Sequence, residues 1–188
     1  MLVTQTFKYL QARNSMMMMN NTFYLRDELG PRAHFSEDPE EFRIESSWFV
    51  DKVNKLFETE KIKYLALWEV LNTHLTTVDN EELEFQKGGS LLSVDSGRLI
   101  KNRFKGFSEE FERMFEEHRN LCVVDPRLRD LLQAEVAKVF LPLYRRFFNK
   151  FSQIKFSKKH QEEYLKYQPQ KVLAILDDLY IDDDDMDE

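Results

Sequence analysis

Apolar residues recur every three or four positions through most of this chain, and this spacing constrains the fold more than any other feature. After Asp95, for example, the apolar positions are Ile100, Phe104, Phe107, Phe111, Met114 and Phe115. Such spacing places side chains on one face of an α-helix, whereas a half-buried strand needs alternation at every second residue. No stretch alternates in that way, and only five Gly and five Pro are available for tight turns. The sequence therefore predicts an all-α protein.

Two long helical segments are predicted in the first half of the chain. The first extends from Leu2 or Val3 to Leu29, and Gly30-Pro31 is expected to end it. Its predicted apolar face is Val3, Phe7, Leu10, Met17, Asn21 and Tyr24. The second pattern covers residues 41–75, with a possible interruption at Glu58-Thr59-Glu60. If continuous it would be about 50 Å long at 1.5 Å per residue, which favours elongated, stacked helical bundles.

Three further helices are predicted in the second half. The first of these helices carries the aromatic stripe, and Asp95 or Ser96 is its predicted N-cap. Asp125-Pro126 begins the next, and Pro142 inside it is expected to cause a kink. Its predicted face is Leu128, Leu132, Val136, Val139, Leu143, Phe147 and Phe151. Pro169 begins the last helix.

Composition along the chain predicts four segments. Residues 1–78 form a helical bundle segment, whose abrupt start suggests that the architecture begins upstream. Residues 79–94, which contain a Glu cluster and Gly88-Gly89-Ser90, form a flexible linker. Residues 95–180 form a carboxy-terminal helical bundle, and residues 181–188 form an acidic, disordered tail.

Several classes of function are disfavoured by the residue content. The four His residues have no ligand-type spacing, Cys122 has no partner in sequence, and the Gly-rich stretch lacks the Lys of a phosphate-binding loop. We therefore expect no enzyme, no metal and no cofactor. A net charge of −7 argues against nucleic-acid binding. No apolar run approaches the roughly 18 residues that span a bilayer. The sequence indicates a cytoplasmic or membrane-peripheral protein.

A local excess of positive charge stands out against that background. Residues 138–171 contain nine Lys and Arg against two acidic residues, whereas residues 177–188 contain eight acidic residues and no base. The bases most concentrated around the connection before the last helix are Lys150, Lys155, Lys158, Lys159 and Lys166. They could simply be solvated side chains at the edge of the core. Alternatively, clusters of four to eight bases attract anionic lipid headgroups, at about 1 kcal/mol per charge.

Five sequence blocks together resemble one known family. They are Asn20-Asn21-Thr22-Phe23-Tyr24-Leu25, the stretch from Lys101 to Glu112, Asp125-Pro126-Arg127-Leu128-Arg129, the stretch from Leu141 to Phe147, and Tyr164-Leu165-Lys166-Tyr167 before Pro169. In this order they resemble the carboxy-terminal portion of the exocyst complex seventy-kilodalton subunit. The similarity extends from about residue 5 to residue 180. Ser108 stands where Asn is usual in the family.

The resemblance implies a function as well as a fold. Members of the family tether secretory vesicles to the plasma membrane in exocytosis, as part of a rod of stacked helical bundles. They bind phosphatidylinositol 4,5-bisphosphate through basic residues, and they engage Rho-family GTPases and other exocyst subunits. By position, Lys166 matches a lipid-binding Lys and Lys159 an upstream basic position, whereas Glu163 replaces a frequent Lys.

The resemblance also implies a location, and two questions stay open. The expected location is cytoplasmic and peripheral at the plasma membrane, at sites of polarised secretion. The alternative function is a helical scaffold that binds proteins and no lipid. Asp182 to Asp185 are close enough in chain length to fold back over the basic connection and mask it.

Overall fold

The computed structural model describes residues 2–32, 39–75, 83–84 and 92–181, and these residues are built from helices. The helices are α1 (Leu2–Arg32), α2 (Pro39–Trp68), a 3-10 helix (Glu69–His74), α3 (Val94–His118), α4 (Pro126–Phe151), α5 (Gln161–Tyr164) and α6 (Pro169–Asp177). Within the described ranges no β-strand forms, although Leu92 and Lys155 are isolated bridge positions. The predicted all-α fold is therefore confirmed.

The described residues divide into two compact units. Unit 1 contains Met1–Leu67 and Leu121–Leu132, and unit 2 contains Trp68–Asn120 and Gln133–Ile181. Most of the predicted linker at 79–94 and the whole acidic stretch 182–188 lie outside the described residues. The predicted segments 1–78, 79–94, 95–180 and 181–188 remain predictions.

Unit 1 buries a different face of α1 from the predicted one. The buried apolar residues are Ala12, Met16, Met19 and Phe23, whereas Phe7, Leu10, Met17 and Tyr24 are exposed. On the part of α2 that belongs to unit 1, the buried residues are Val53, Phe57 and Tyr64, and Phe57 lies 6.0 Å from Phe23 between ring centroids. The predicted α1 face was wrong because α1 carries apolar residues all round, so that spacing alone does not select the buried stripe.

The segment 121–132 is joined to α1 by the first Asn of the Asn-Asn pair. The Asn20 side-chain amide donates to the carbonyl of Cys122 at 2.8 Å, and its oxygen accepts the N–H of Val124 at 3.3 Å. Arg127 then forms an ion pair with Asp27 of α1. Asn20 therefore satisfies backbone groups that have no helical partner.

Unit 2 has an aromatic core formed mainly by α3 and α4. Phe107 stacks on Tyr144 with 3.9 Å between ring centroids, and Phe104 lies 4.7 Å from Phe147. The predicted α3 stripe is buried, with Phe115 only half-buried. Aromatic pairs of this kind add roughly 0.5–1.5 kcal/mol beyond the area they bury. The stripe therefore serves packing.

Helix ends agree with some predictions and correct others. The Asp125 carboxylate accepts the Arg127 N–H at 2.8 Å, and α6 begins at Pro169, as predicted. By contrast, α1 continues through Gly30-Pro31 to Arg32, and α2 is not interrupted at 58–60 but passes into the 3-10 helix after Trp68. The N-cap of α3 is Ser93, whose hydroxyl accepts the Ser96 N–H at 3.2 Å, and not Asp95 or Ser96.

Candidate functional site

The connection between α4 and α5, residues 152–160, presents three lysines to solvent; we call it the basic loop. Lys155, Lys158 and Lys159 are all exposed. None of the three side chains has a hydrogen-bonding or ion-pair partner among the residues that the structure describes. Because all three side chains are exposed, an external anion can approach their charges.

The basic loop has a defined conformation because polar side chains hold its backbone. The Gln161 oxygen accepts the N–H groups of Phe156 at 3.1 Å and Ser157 at 3.2 Å, and its amide donates to the Ile154 carbonyl at 3.2 Å. The Ser157 hydroxyl donates to the Lys159 carbonyl at 2.6 Å. Sequence reasoning missed Gln161, which looks like any polar residue at the start of a helix.

The basic loop lies directly against the first turn of α3. A Cβ at Gly97 would lie 2.8 Å from the Phe156 carbonyl oxygen, closer than ordinary contact allows. Gly97 therefore permits an approach that any larger residue would prevent.

A surface cleft of about 530 Å³ opens where the loop meets α3. Its lining residues are Leu92, Ser93, Val94, Gly97, Arg98, Lys101, Phe156, Ser157, Lys158 and Lys159. We call it the α3 cleft. Four of these residues are cationic and none is acidic. The structure thus adds Arg98 and Lys101 to Lys158 and Lys159. Their spacing of three residues on α3 was the only sequence signal for the added pair.

Lys166 is in a different situation, because it is already paired. Its Nζ lies 2.5 Å from Glu112 Oε1 on α3, and the same oxygen accepts the Tyr167 hydroxyl at 2.7 Å. These two hydrogen bonds, from Lys166 first and then Tyr167, lower the pKa of Glu112. Desolvation, followed by the Glu112 contact, raises the pKa of Tyr167 to about 12.

A second tyrosine, Tyr144, connects Tyr167 to the core. The Tyr144 hydroxyl donates to the Tyr167 carbonyl at 2.5 Å. Desolvation raises the pKa of Tyr144, so this hydroxyl remains protonated and available as a donor at neutral pH. We call Tyr164-Leu165-Lys166-Tyr167 the closing segment. It is attached to both α3 and α4, and Lys166 contributes to that attachment.

The five predicted lysines are thus not one uniform patch. Lys158 and Lys159 line the α3 cleft, whereas Lys166 lines a second cleft of about 310 Å³ with Lys105, Ser108, Glu109, Glu163 and Tyr164. Lys150 and Lys155 line neither cleft, and Lys150 lies 5.1 Å from the centroid of the Phe151 ring. The second cleft contains two acidic residues, so the α3 cleft is the more favourable place for an anion.

No group of three or more His, Cys, Asp and Glu residues within the described part of the chain could hold a metal ion. His118 is buried against Trp68, and desolvation together with the nearby Arg113 lowers its pKa to about 4. Among the helices described, none is both long and apolar enough to cross a bilayer.

Comparison with known proteins identifies relatives over most of the chain. Residues 9–178 match the family described as the C-terminal part of Exo70, an exocyst complex component. The "Exocyst complex protein EXO70" of Yarrowia lipolytica is 30% identical over 159 residues, which cover 84% of this chain and 25% of that protein. The "Exocyst complex component 7" of Drosophila melanogaster is 26% identical over 177 residues, covering 92% of this chain and 24% of that protein.

The fold has a counterpart among solved structures. A chain from "The structures of exocyst subunit Exo70p and the Exo84p C-terminal domains reveal a common motif" matches with a TM-score of 0.55 and 23% identity. The match covers 70% of this chain and 23% of that chain. The present chain thus spans about a quarter of the length of the curated relatives it matches. Because the family match covers nearly the whole sequence, the chain belongs to the Exo70 exocyst subunit family.

Proposed function

We propose that this chain acts in the tethering of secretory vesicles to the plasma membrane during exocytosis, as a non-catalytic exocyst component. Its contribution is to bind phosphatidylinositol 4,5-bisphosphate in the inner leaflet through a carboxy-terminal basic surface. That surface consists of Lys150, Lys155, Lys158, Lys159 and Lys166. The chain then resides in the cytoplasm and peripherally at the plasma membrane, at sites of polarised secretion.

The observation that carries this proposal is the exposed positive charge of the basic loop. Lys155, Lys158 and Lys159 are exposed, and the α3 cleft beside them contains no acidic lining residue. The overall charge of −7 does not cancel this attraction, since charges act over a Debye length of about 8 Å. Each base near an anionic membrane contributes about 1 kcal/mol.

The test is sedimentation with liposomes that contain phosphatidylinositol 4,5-bisphosphate. Replacing Lys158 and Lys159 by Gln removes two charges and should weaken binding about thirtyfold, from about 1 kcal/mol per charge. The matched control replaces Lys138 and Lys171 by Gln; both lie in unit 2 and line neither cleft. Lys166→Glu is a poor choice of variant, because it would place a carboxylate beside Glu112.

Three results would contradict the proposal. They are equal binding to neutral liposomes, binding that does not weaken as salt is raised, and an equal loss in the control variant. The salt dependence is expected because the interaction is between exposed charges, which added ions screen.

The second candidate is a helical scaffold for protein–protein interaction, with other exocyst subunits and a Rho-family GTPase as partners. A specific observation favours it: Phe7, Leu10, Met17 and Tyr24 expose apolar surface along α1. Exposed apolar patches on a folded chain commonly mark interaction surfaces. If this function alone holds, the double variant Lys158→Gln, Lys159→Gln leaves liposome binding unchanged. The double variant Phe7→Ser, Leu10→Ser then abolishes capture of an exocyst subunit or Rho-family GTPase.

A further inference from the structure

We propose that Ser93 is a phosphorylation site and that its phosphate group occupies the α3 cleft as an internal anion. A protein kinase carries out the reaction. The Ser93 oxygen attacks the γ-phosphorus of ATP, the bond from that phosphorus to the bridging oxygen of ADP breaks, and the hydroxyl proton passes to a base of the kinase. The product is a phosphate monoester with a charge of about −2 at neutral pH. Only the effect of this phosphate on lipid binding rests on the proposed function.

Ser93 is the more exposed of the two serines that line the α3 cleft. Ser93 is half-buried, whereas Ser157 is buried and its hydroxyl donates to the Lys159 carbonyl at 2.6 Å. Ser93 also immediately precedes α3, and the ends of helices open more readily than their interiors. A kinase can therefore reach the Ser93 hydroxyl while the aromatic core of unit 2 stays packed.

The first argument for an internal phosphate is the positive charge that shares the cleft with Ser93. Four cationic side chains line the cleft: Arg98, Lys101, Lys158 and Lys159. The Arg98 guanidinium lies beside the first turn of α3, since its Nη1 is 3.3 Å from Asp95 Oδ1. Both side chains of that ion pair are largely exposed, so water screens it and a phosphate can replace it. The planar fork of Arg98 fits two phosphate oxygens at once.

The second argument is the fixed position of Ser93 before α3. Its N–H donates to the Glu84 carbonyl at 2.7 Å, and its hydroxyl accepts the Ser96 N–H at 3.2 Å. A phosphate on Ser93 is thus held beside backbone N–H groups at the positive end of a long helix, where negative charge is stabilising. The helix end and the cationic side chains therefore attract the same group.

Phosphorylation of Ser93 should have two effects of opposite sign. It should stabilise unit 2, because a phosphate in the cleft adds charge-assisted hydrogen bonds between α3 and the basic loop. It should also weaken binding to anionic liposomes about thirtyfold, the effect expected when two positive charges are neutralised. A modification that merely damaged the fold would lower both stability and binding.

The test places phosphoserine at position 93 of the full chain during synthesis, by expansion of the genetic code. The control places phosphoserine at Ser152, which adds the same charge within the basic loop but lines neither cleft. The Ser152 N–H donates to the Phe148 carbonyl at 2.8 Å, so Ser152 lies at the negative end of α4. We expect the midpoint of thermal unfolding to rise by at least about 2 °C with phosphate on Ser93, and to fall or stay unchanged with phosphate on Ser152. No rise for Ser93, or an equal rise for Ser152, would overturn the proposal.

A second pair of variants distinguishes the cleft from the helix end. In the double variant Arg98→Gln, Lys101→Gln, most of the rise caused by phosphate on Ser93 should disappear. The double variant Lys138→Gln, Lys171→Gln removes two bases that line neither cleft and should retain the rise. A rise that persists in full without Arg98 and Lys101 would refute the placement of the phosphate in the cleft.

Mass spectrometry of the chain isolated from its own cells, with phosphatase inhibitors present, tests whether the modification occurs. We expect a phosphopeptide that carries the phosphate on Ser93. If liposomes bind the unmodified chain, but neither this phosphopeptide nor the rise in stability is found, the phosphorylation site is refuted and the membrane function stands. If both are found but liposomes containing phosphatidylinositol 4,5-bisphosphate do not bind the unmodified chain, the site stands and the membrane function is refuted.

Discussion

Replacing Glu112 by Gln should increase the affinity of this chain for anionic liposomes. Glu112 Oε1 lies 2.5 Å from Lys166 Nζ, and the two side chains are 42% and 47% exposed. Hydrogen bonds from Lys166 and Tyr167 lower the pKa of Glu112, so it is a carboxylate at neutral pH and neutralises Lys166. The amide of Gln carries no charge, and Lys166 then becomes available to lipid.

The magnitude follows from that one released base. A base near an anionic membrane contributes about 1 kcal/mol, which corresponds to about fivefold tighter binding. The loss of stability should be below about 1 kcal/mol, since the ion pair is half exposed and its contribution is screened. The Gln oxygen can still accept the hydroxyl of Tyr167, so the closing segment should remain attached to α3.

The assay is liposome sedimentation at low and moderate salt, with Glu135→Gln as the matched control. Glu135 pairs with Lys138 at 2.6 Å, so its replacement causes the same change of charge and also releases a lysine. Neither Glu135 nor Lys138 lines either of the two clefts. If Glu112→Gln is folded and binds liposomes no more tightly than Glu135→Gln, then Lys166 is not a lipid-binding residue and serves only to attach its segment.

Two further predictions concern the scaffold of the site. Burial lowers the pKa of His118 from 6.5 to about 4, so its contribution to stability is complete above pH 6.5 and is lost as pH falls towards 4. The free energy of unfolding, measured with urea, should therefore be roughly 2 to 3 kcal/mol lower at pH 4.5 than at pH 7.5 through His118 alone, and His118→Asn should lack this part of the decrease. An equal decrease in His118→Asn would refute the assignment. Gly97→Ala should destabilise unit 2 and weaken liposome binding, because its Cβ would lie 2.8 Å from the Phe156 carbonyl oxygen, although Ala normally stabilises a helix by about 1 kcal/mol over Gly. Asn102→Ala on the exposed face of α3 is the control and should be neutral or stabilising; a more stable Gly97→Ala would show that the loop is not held against α3.

The aromatic stripe of α3 illustrates which features local sequence could predict. Phe104, Phe107 and Phe111 recur at helical spacing and are nearly or fully buried. A helix with a single strongly apolar face packs that face against the core, so the buried side can be read from the spacing. In α1, by contrast, apolar residues surround the helix. Met16 and Met19 are buried whereas Met17 is 56% exposed, and this difference arises only from tertiary packing.

In the candidate site too, local sequence indicates some features and only tertiary contacts reveal the others. Runs of Lys are visible in sequence, and they indicate the basic loop as a concentration of charge. Their partners are not visible: Glu112 lies 54 residues before Lys166. Arg98 and Lys101 lie even further from Lys158 and Lys159, and nothing local indicates that they share a cleft.

The sequence by itself determined the helical class, the Asp125 cap, the start of α6 at Pro169 and the family, because helical periodicity, capping and motif order are local properties of the chain. Only the tertiary structure decided which face of α1 is buried, that Lys166 is paired, and that two bases of α3 complete a cleft with the basic loop. The physical reason is that burial and charge pairing depend on distances between residues far apart in sequence, and those distances exist only after the helices have packed.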